Sequence, residues 1–286
     1  MISIVIPAYN EHNAIADAVN RLQTTLSGKD IGEFEIVVVD DGSSDETGAI
    51  AAAAGARVVR HPHNIGYGRA LKSGISAAKF DTIVITDADG TYPIERIPDL
   101  LEKYREGFDM VVGARTGNHY KESALKWPLR ILLRFLVEWT AGRRIPDINS
   151  GLRIFSRQTI QGYFSHLCDT FSFTTSATLA YMMTGRFVAY LPINYAERVG
   201  RSHVRLWRDS LRTLQFIVQA ITYYNPLKIF LLLSICCCVL ALTCVIAGLA
   251  FKIVTALMLG VGALLVALVI GAMGLLADLL RQIMAK

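Results

Sequence analysis

Charged residues are missing from two long stretches near the C-terminus of this 286-residue chain. Residues 229–251 and 253–277 contain no Asp, Glu, Lys or Arg, and only Lys252 separates them. About 20 apolar residues in a helix suffice to cross the hydrocarbon core of a bilayer. The alternative is two buried core helices, but such helices seldom stay apolar on every face for this length. The sequence therefore predicts two membrane spans, in keeping with the mean hydropathy of +0.38.

Cysteine is scarce, and so are the features of an exported or nucleic-acid-binding protein. Four of the five cysteines (Cys236, Cys237, Cys238 and Cys244) lie in the first uncharged stretch, and Cys168 has no obvious partner, as expected in the cytoplasm. The N-terminus lacks the basic flank and long apolar stretch of a signal peptide. Because no nucleic-acid motif accompanies the net charge of +5, we expect anionic lipid or phosphorylated ligands and no nucleic acid.

The few residues around Lys252 leave room only for a turn, so the two spans are expected to form a hairpin with both ends on one side of the membrane. Positive residues flank those ends: Arg205, Arg208, Arg212 and Lys228 before the first span, and Arg281 and Lys286 after the second. This bias predicts a multi-pass protein of the cell (inner) membrane whose large N-terminal part is cytoplasmic.

The residues before the spans predict one α/β domain, with neither an internal repeat nor a low-complexity segment. Strand-like runs end in turn formers ("ISIVIPAY", "FEIVVVDDGS", "ARVVRH", "DTIVITDAD", "FDMVVGAR"), and helical stretches lie between them ("EHNAIADAVNRLQTTL", "DETGAIAAAA", "YGRALKSGISAA"). This alternation indicates a mainly parallel, doubly wound sheet that binds ligands at the carboxyl ends of its strands.

The polar residues that carry chemistry follow the predicted strands. Tyr9 to Glu11 follow the first, Asp40 to Ser43 the second, and Asp87 and Asp89 the fourth. Helix capping and a turn explain Gly42 and the two serines after it, but not two adjacent acids, of which the first could accept hydrogen bonds from a nucleobase or a ribose. In an extended segment Asp87 and Asp89 would share one face, where two carboxylates repel each other unless a cation lies between them. The alternatives are a solvated turn or a site for Mg²⁺ or Mn²⁺ on a substrate diphosphate.

Seven motifs occur in a fixed order: "IPAYNE", "VVDDGS", "NIGYGRALKSG", "DADGTYP", "GAR", "DINSGLRIF" and "RVGRSH". Together they resemble glycosyltransferase family 2, and most closely its polyprenyl-phosphate branch, typified by dolichyl-phosphate mannose synthase. The resemblance covers about residues 1–210 and implies a GT-A fold. It also implies an inverting transfer of a hexose from a nucleotide sugar (UDP- or GDP-linked) to a polyprenyl phosphate such as undecaprenyl or dolichyl phosphate.

The resemblance also implies roles for individual residues. The nucleotide pocket would be formed by Pro7, Ala8, Tyr9, Glu11, Asp40, Asp87 and Ala88. Asp87 and Asp89 would hold Mg²⁺ or Mn²⁺, with Asp89 also catalytic, and Thr91 stands where many relatives carry a further metal ligand, Gln. The catalytic arginines facing the donor or acceptor phosphate would be Arg115, Arg130 and Arg201.

The acceptor chemistry can be argued from general principles. A phosphate monoester is largely ionised at neutral pH, since its second pKa is about 6, whereas an alcohol needs a general base. A lipid phosphate therefore needs arginines that grip its oxygens in pairs, for which Arg115, Arg130, Arg153 and Arg201 are available. The alternatives are a family 2 enzyme acting on a hydroxyl, although no processivity motif is present, and a non-catalytic membrane scaffold.

Two amphipathic segments complete the predicted organisation. "ALKWPLRILLRFLVEW" and "VRLWRDSLRTLQFIVQAITYY" mix aromatic, apolar and basic residues, which indicates helices lying on the membrane or, alternatively, covering the sheet. We expect a GT-A domain over 1–203, an amphipathic juxtamembrane helix over 204–226 and a transmembrane hairpin over 227–280. The oligomeric state, including a homo-oligomer, is left open.

Overall fold

The computed structural model describes residues 1–28, 31–116, 135, 137–139, 141–196 and 206–284, with backbone alone for 206–213. By their contacts these residues form two compact units, Met1–Ile217 and Val218–Lys286. Most of the first amphipathic segment, the predicted boundary at 203/204, Arg130 and Arg201 lie outside the described residues.

The first unit is built on a seven-stranded sheet of order β3-β2-β1-β4-β6-β5-β7. The strands are β1 (Ile2–Ala8), β2 (Phe34–Asp40), β3 (Arg57–Arg60), β4 (Thr82–Ile85), β5 (Met110–Thr116), β6 (Arg153–Ser156) and β7 (Val188–Asn194). All neighbouring pairs are parallel except β4–β6 and β5–β6, because β6 runs antiparallel between β4 and β5. The predicted mainly parallel sheet is confirmed, and β6 and β7 add two strands that the sequence analysis did not identify.

Helices connect the strands and cover the sheet. They are α1 (Ile15–Ser27), α2 (Thr47–Ala53), α3 (Tyr67–Ala77), α4 (Ile97–Arg105), α5 (Arg157–Gln161) and α6 (Phe173–Met183), with short 3₁₀ turns at Ile94–Arg96 and Phe164–His166. The α1 side chains at helical spacing, Ile15, Val19 and Leu22, are fully buried against β1 and β2 residues such as Ile4 and Val38. This burial on both faces explains why the central strands consist of almost continuous β-branched runs.

The metal-binding candidates follow β4 rather than lying on it. The strand ends at Ile85, and residues 86–90 form an irregular bend in which Gly90 has a φ of 72°. Strand alternation therefore does not apply to Asp87 and Asp89, because alternation holds only in extended backbone, and their shared face stays a prediction. Their placement at the carboxyl end of a central parallel strand is as predicted.

The C-terminal helices are α7 (Leu206–Tyr224), α8 (Pro226–Phe251) and α9 (Val254–Met284). Helices α8 and α9 are both long and apolar enough to cross a membrane, and few of their residues are buried. Lys252, with a left-handed φ of 56°, ends α8, and Ser234 Oγ donates to the Ala267 carbonyl across the hairpin at 2.9 Å. The second unit is thus an apolar helical hairpin that turns at the predicted residue.

Candidate active site

Parallel pairing of β1 and β2 places the first two motifs side by side. Pro7 is opposite Val39, Ala8 is opposite Asp40, and the Asp41 amide donates to the Ala8 carbonyl at 2.9 Å. Asn10, which has a left-handed φ of 55°, connects the loops that follow β1 and β2. Its side-chain Oδ1 accepts from the Ser44 amide at 2.9 Å, and its backbone amide donates to Ser43 Oγ at 3.0 Å. These loop contacts hold Tyr9 and Glu11 at the same sheet edge as Asp40.

Asp40 is only 1% exposed and has an oxygen without a hydrogen-bond partner in the described part of the chain. Its Oδ1 accepts from the Ser43 amide at 2.9 Å, whereas the nearest cation to Oδ2 is the exposed Arg60 guanidinium, with Nε at 3.5 Å. A buried carboxylate oxygen that lacks a donor is costly unless a ligand provides one. Asp40 is therefore suited to accept a hydrogen bond from a bound N–H or hydroxyl group.

Asp41 has a different function from its neighbour. Its carboxylate accepts from the Ile65 and Gly66 amides, the latter at 2.8 Å, and lies 2.6 Å from Nδ1 of His61. The other nitrogen of this imidazole lies 2.9 Å from Ser73 Oγ on α3. Asp41 thus organises the loop that leads into α3, a structural role that explains the second acid of "VVDDGS".

Asp89 is 4% exposed and held by its own turn. Its Oδ1 accepts from the Thr91 hydroxyl at 2.6 Å and from the Thr91 amide at 3.2 Å. Thr91 is fully buried, so its hydroxyl orients the Asp89 carboxylate. The predicted role of Thr91 as a metal ligand stays a prediction, and its observed contact is with Asp89, itself a predicted ligand.

Asp87 packs against the loop that carries "DINSG". A Cβ on Gly151 would lie 2.9 Å from Asp87 Oδ2, so the carboxylate reaches this position only because residue 151 has no side chain. The Gly151 amide donates to the Tyr92 hydroxyl at 2.6 Å, and the Tyr67 hydroxyl donates to Asp87 Oδ1 at 2.9 Å. Burial, and then the nearby Asp87 charge, raise the pKa of both tyrosines above the ordinary value, so both hydroxyls stay protonated.

The donor set fits a divalent ion that shares its coordination with a substrate. Two carboxylates come from one turn, and the described residues contain no group of three or more His, Cys, Asp or Glu suited to hold a metal. Mg²⁺ is commonly bound by one or two carboxylates together with substrate phosphates. Asp87 and Asp89 match that pattern and do not form an all-protein cage.

Arg115 is engaged by a carboxylate that the sequence analysis did not single out. Its Nε donates to Asp147 Oδ2 at 2.7 Å, its Nη2 donates to Oδ1 at 2.9 Å, and its amide donates to Oδ2 at 3.1 Å. Although burial alone would raise the Asp147 pKa, these bonds and the guanidinium charge hold that pKa below its ordinary value. The paired fork of Arg115 therefore binds Asp147 in this structure, and its predicted contact with a phosphate stays a prediction.

The expectation that Arg153 is available to a phosphate is wrong. Its side chain is fully buried and donates to the carbonyls of Ser150 and Ile148, each at 2.7 Å, and to Thr178 Oγ1 at 2.7 Å. The same bonds hold the 147–151 loop against β6 and α6. Arg153 is therefore a buried residue that stabilises the 147–151 loop of the site.

The predicted nucleotide-pocket residues thus lie at one edge of the sheet: Pro7, Ala8, Tyr9, Glu11 and Asp40. Asp87, Ala88 and Asp89 follow β4, which is next but one to β2. Four further contributors were not predicted from the sequence: Asp147, Gly151, Tyr67 and Tyr92. Three of the four lie in "DINSG", which precedes β6, and in "NIGYG", which leads into α3, and Tyr92 lies in "DADGTYP".

Comparison with known proteins places this geometry in a family. Residues 3–168 match the family model described as Glycosyl transferase family 2. An undecaprenyl-phosphate 4-deoxy-4-formamido-L-arabinose transferase of Klebsiella pneumoniae (strain 342) is 32% identical over 209 residues, covering 69% of this chain and 60% of that protein. A dolichyl-phosphate hexose transferase of Haloferax volcanii is 29% identical over 202 residues, covering 70% of this chain and 85% of that protein. The chain thus spans less than two thirds of the length of the Klebsiella relative.

Solved structures agree on the fold. Glucosyl-3-phosphoglycerate synthase from Mycobacterium tuberculosis, in complex with phosphoglyceric acid, superposes with a TM-score of 0.64 at 21% identity, covering 77% of this chain and 79% of that one. The same enzyme with Mn²⁺, uridine diphosphate and glucosyl-3-phosphoglycerate gives a TM-score of 0.61 at 23% identity, with the same coverage. The α/β domain therefore has the GT-A fold.

The Arg115–Asp147 pair predicts a stability effect. Replacing Arg115 with Ala leaves Asp147, 3% exposed, as a buried carboxylate without its guanidinium partner, so we expect the free energy of unfolding to fall by about 3 kcal/mol, the low end for a broken buried pair because two backbone amides still donate to it. Chemical denaturation of the full chain in detergent measures this loss. The double variant Arg115→Ala with Asp147→Asn should recover part of the lost stability, because it also removes the buried negative charge of Asp147. An Arg115→Ala protein as stable as the wild type would show that the pair contributes nothing to folding.

Proposed function

The chain belongs to glycosyltransferase family 2, and on that basis we propose that it is an inverting enzyme that transfers a hexose from a nucleotide sugar to a polyprenyl phosphate. The observation that carries the proposal is the convergence of Asp40, Asp87 and Asp89 at the carboxyl ends of β2 and β4, on a chain whose relatives include transferases named for undecaprenyl and dolichyl phosphate. The first is a buried acceptor for a nucleotide, and the other two are ligands for its metal.

The donor lies along the β1 and β2 ends in this proposal. Asp40 Oδ2, buried and without a hydrogen-bond donor in the described residues, accepts from the nucleobase or the ribose, while Pro7, Ala8, Tyr9 and Glu11 line the pocket. Uridine diphosphate is bound in the solved mycobacterial synthase, which favours UDP, but the carboxylate suits an N–H of uracil or guanine equally. UDP- and GDP-linked sugars are thus the two donor classes to test.

The diphosphate is held through Asp87 and Asp89. A bound Mg²⁺ or Mn²⁺ supplies Lewis acidity that stabilises the negative charge building up on the leaving nucleoside diphosphate. The protein's part is to orient both carboxylates. The Thr91 hydroxyl orients Asp89, and the close approach of Gly151 limits where the Asp87 carboxylate can lie.

The acceptor is a phosphate oxygen that attacks the anomeric carbon as the bond to the nucleoside diphosphate breaks, which inverts the configuration. Because a phosphate monoester is already ionised, no protein base is needed. Since the fork of Arg115 is engaged by Asp147, we assign the acceptor phosphate first to Arg130 and Arg201. Arg115 then has two effects: its positive charge attracts the phosphates, and its bonds to Asp147 hold the 147–151 loop in place.

The hairpin of α8 and α9 anchors the enzyme in the membrane that contains its lipid acceptor. Both helices are apolar over the length of a bilayer, and the described part of this unit buries few of their side chains. The excess of Lys and Arg at the open end of the hairpin supports a cytoplasmic catalytic unit.

Acceptor choice tests the proposed function directly. We expect purified full-length protein, given Mg²⁺ or Mn²⁺ and a panel of UDP- and GDP-sugars, to glycosylate undecaprenyl or dolichyl phosphate and to leave the matching free prenol unmodified. Mass spectrometry of the extracted lipid identifies the product. Efficient transfer to the prenol would instead establish a hydroxyl acceptor, and nucleotide-sugar binding without turnover on any acceptor would favour a non-catalytic scaffold.

Metal dependence tests the role of Asp89. Asp89→Asn keeps an oxygen that can accept from Thr91 but removes the charge that holds the ion, so transfer should fall by about a hundredfold or more while the fold persists. Initial rates with and without EDTA measure the effect. Asp99→Asn, an exposed carboxylate paired with Arg96 on α4, is the matched control and should retain wild-type rates. Undiminished turnover of Asp89→Asn in EDTA would rule out the metal role.

Topology can be measured by thiol labelling in a background without native cysteines. With a cytoplasmic catalytic unit, a cysteine introduced by Arg105→Cys, exposed on α4, should react with a membrane-impermeant maleimide only after the cells are permeabilised. Lys252→Cys, at the hairpin turn, should react in intact cells. The reverse pattern would place the catalytic unit on the outer face.

A further inference from the structure

Tyr67 is the first residue of α3 and connects the "NIGYG" motif to the candidate metal site. Its hydroxyl donates to Asp87 Oδ1 at 2.9 Å, and its ring stacks on Phe171 with centroids 5.8 Å apart and planes 14° apart. None of the steps proposed above uses this residue. A hydrogen bond to one of the two carboxylates therefore links α3 to the acidic turn.

The position of Tyr67 is fixed by unusually close packing of its neighbour. Gly68 lies so near the Cys168 carbonyl and the Asp169 backbone that any Cβ would collide with backbone atoms. The Arg69 amide donates to the Asp169 carbonyl at 2.9 Å, which fixes the first turn of α3 along this segment. A side chain could not be accommodated by a small rotamer change, because the obstruction is main chain.

A buried lysine also binds α3 to the 167–171 segment. Lys72, one turn further along α3, is 8% exposed and donates to the Leu167 carbonyl and to Asp169 Oδ1, each at 2.6 Å. The start of α3 is thus held along the 167–171 segment at several points. The Tyr67 ring, stacked on Phe171 from that segment, has little freedom to swing away from Asp87.

An ionised carboxylate is only an acceptor, and a tyrosine hydroxyl is the kind of donor that can fix its rotation. Oδ1 of Asp87 is bound by Tyr67, while Oδ2 lies against Gly151. Partners of this kind orient metal-binding side chains, and their loss typically costs about 10- to 100-fold in metal affinity or activity. We propose that Tyr67 is a positioning residue that sets the Asp87 carboxylate for the divalent ion of the donor diphosphate, an inference that rests on the proposed function.

Tyr67→Phe isolates the hydroxyl, because it keeps the ring on Phe171 and removes one oxygen. The readout is the dissociation constant of Mn²⁺, measured on the full chain in detergent from the electron paramagnetic resonance signal of free Mn²⁺, with UDP and in parallel with GDP. We expect Mn²⁺ binding to weaken about tenfold or more. The midpoint of thermal unfolding should stay at the wild-type value, which separates positioning from loss of structure.

Tyr163→Phe is the matched control. It removes a hydroxyl that lies 2.8 Å from Thr184 Oγ1 and makes no contact with the acidic turn in the described structure, so Mn²⁺ binding should be unchanged. A double-mutant cycle completes the design, since a residue acting through Asp87 should have little effect once Asp87 is replaced. The variant Asp87→Asn with Tyr67→Phe should bind Mn²⁺ no more weakly than Asp87→Asn alone.

The outcomes distinguish this inference from the proposed function. Wild-type Mn²⁺ affinity in Tyr67→Phe, or losses that simply add in the double variant, would overturn the positioning role alone. A wild-type protein that binds no Mn²⁺ with either nucleotide would overturn both. Weakened Mn²⁺ binding in Tyr67→Phe, together with no transfer to any lipid phosphate by the wild type, would support the positioning role and reject the proposed acceptor.

Discussion

The buried guanidinium of Arg153 is the interaction on which the candidate site depends. It donates to the carbonyls of Ile148 and Ser150, and so fixes a loop that would otherwise leave main-chain acceptors unsatisfied inside the protein. Burial lowers the pKa of Arg153, while the nearby Tyr190 and Asp147 raise it. From the ends of that loop come Asp147, which engages Arg115, and Gly151, which makes room for Asp87.

This arrangement couples three segments that are far apart in sequence. The β4 turn supplies the carboxylates, the 147–151 loop limits where one of them can lie, and the start of α3 supplies Tyr67, which binds its other oxygen. The start of α3 is held by the Asp41 carboxylate, which accepts from the Gly66 amide, and by the Asp169 carbonyl, which accepts from the Arg69 amide. The 147–151 loop is held through its carbonyls by Arg153. The carboxylates are therefore positioned by main chain that cannot easily shift, as a site for a highly charged ligand requires.

The parts of the site that follow strands were predictable, because β-branched runs alternating with helices place strand ends at one edge of a parallel sheet. Asp40, Asp87 and Asp89 were found in this way. The role of Arg115 was harder to predict, since its bidentate partner is Asp147, 32 residues further along the chain. A pairing between residues so far apart leaves no periodic pattern in the sequence. The same holds for β6, whose short run of Arg153–Ser156 gives no indication that it would enter antiparallel between β4 and β5. Its arginine looks solvent-exposed in sequence, and only the tertiary structure shows that it is buried.

The antiparallel entry of β6 has a consequence for how such a protein can diversify. The chain leaves the sheet at Thr116, the end of β5, and returns at Arg153, which pairs with Val112 on that same strand. Thr116 and Arg153, the two ends of the connection between β5 and β6, thus belong to one pair of neighbouring strands, and the Gly113 amide donates to the Leu152 carbonyl at 2.9 Å. A connection anchored at both ends can change in length without altering the register of β1, β2 and β4. Evolution is therefore free to vary the chemistry carried before Asp147, whereas the 147–151 loop has to be kept because it limits where the Asp87 carboxylate can lie.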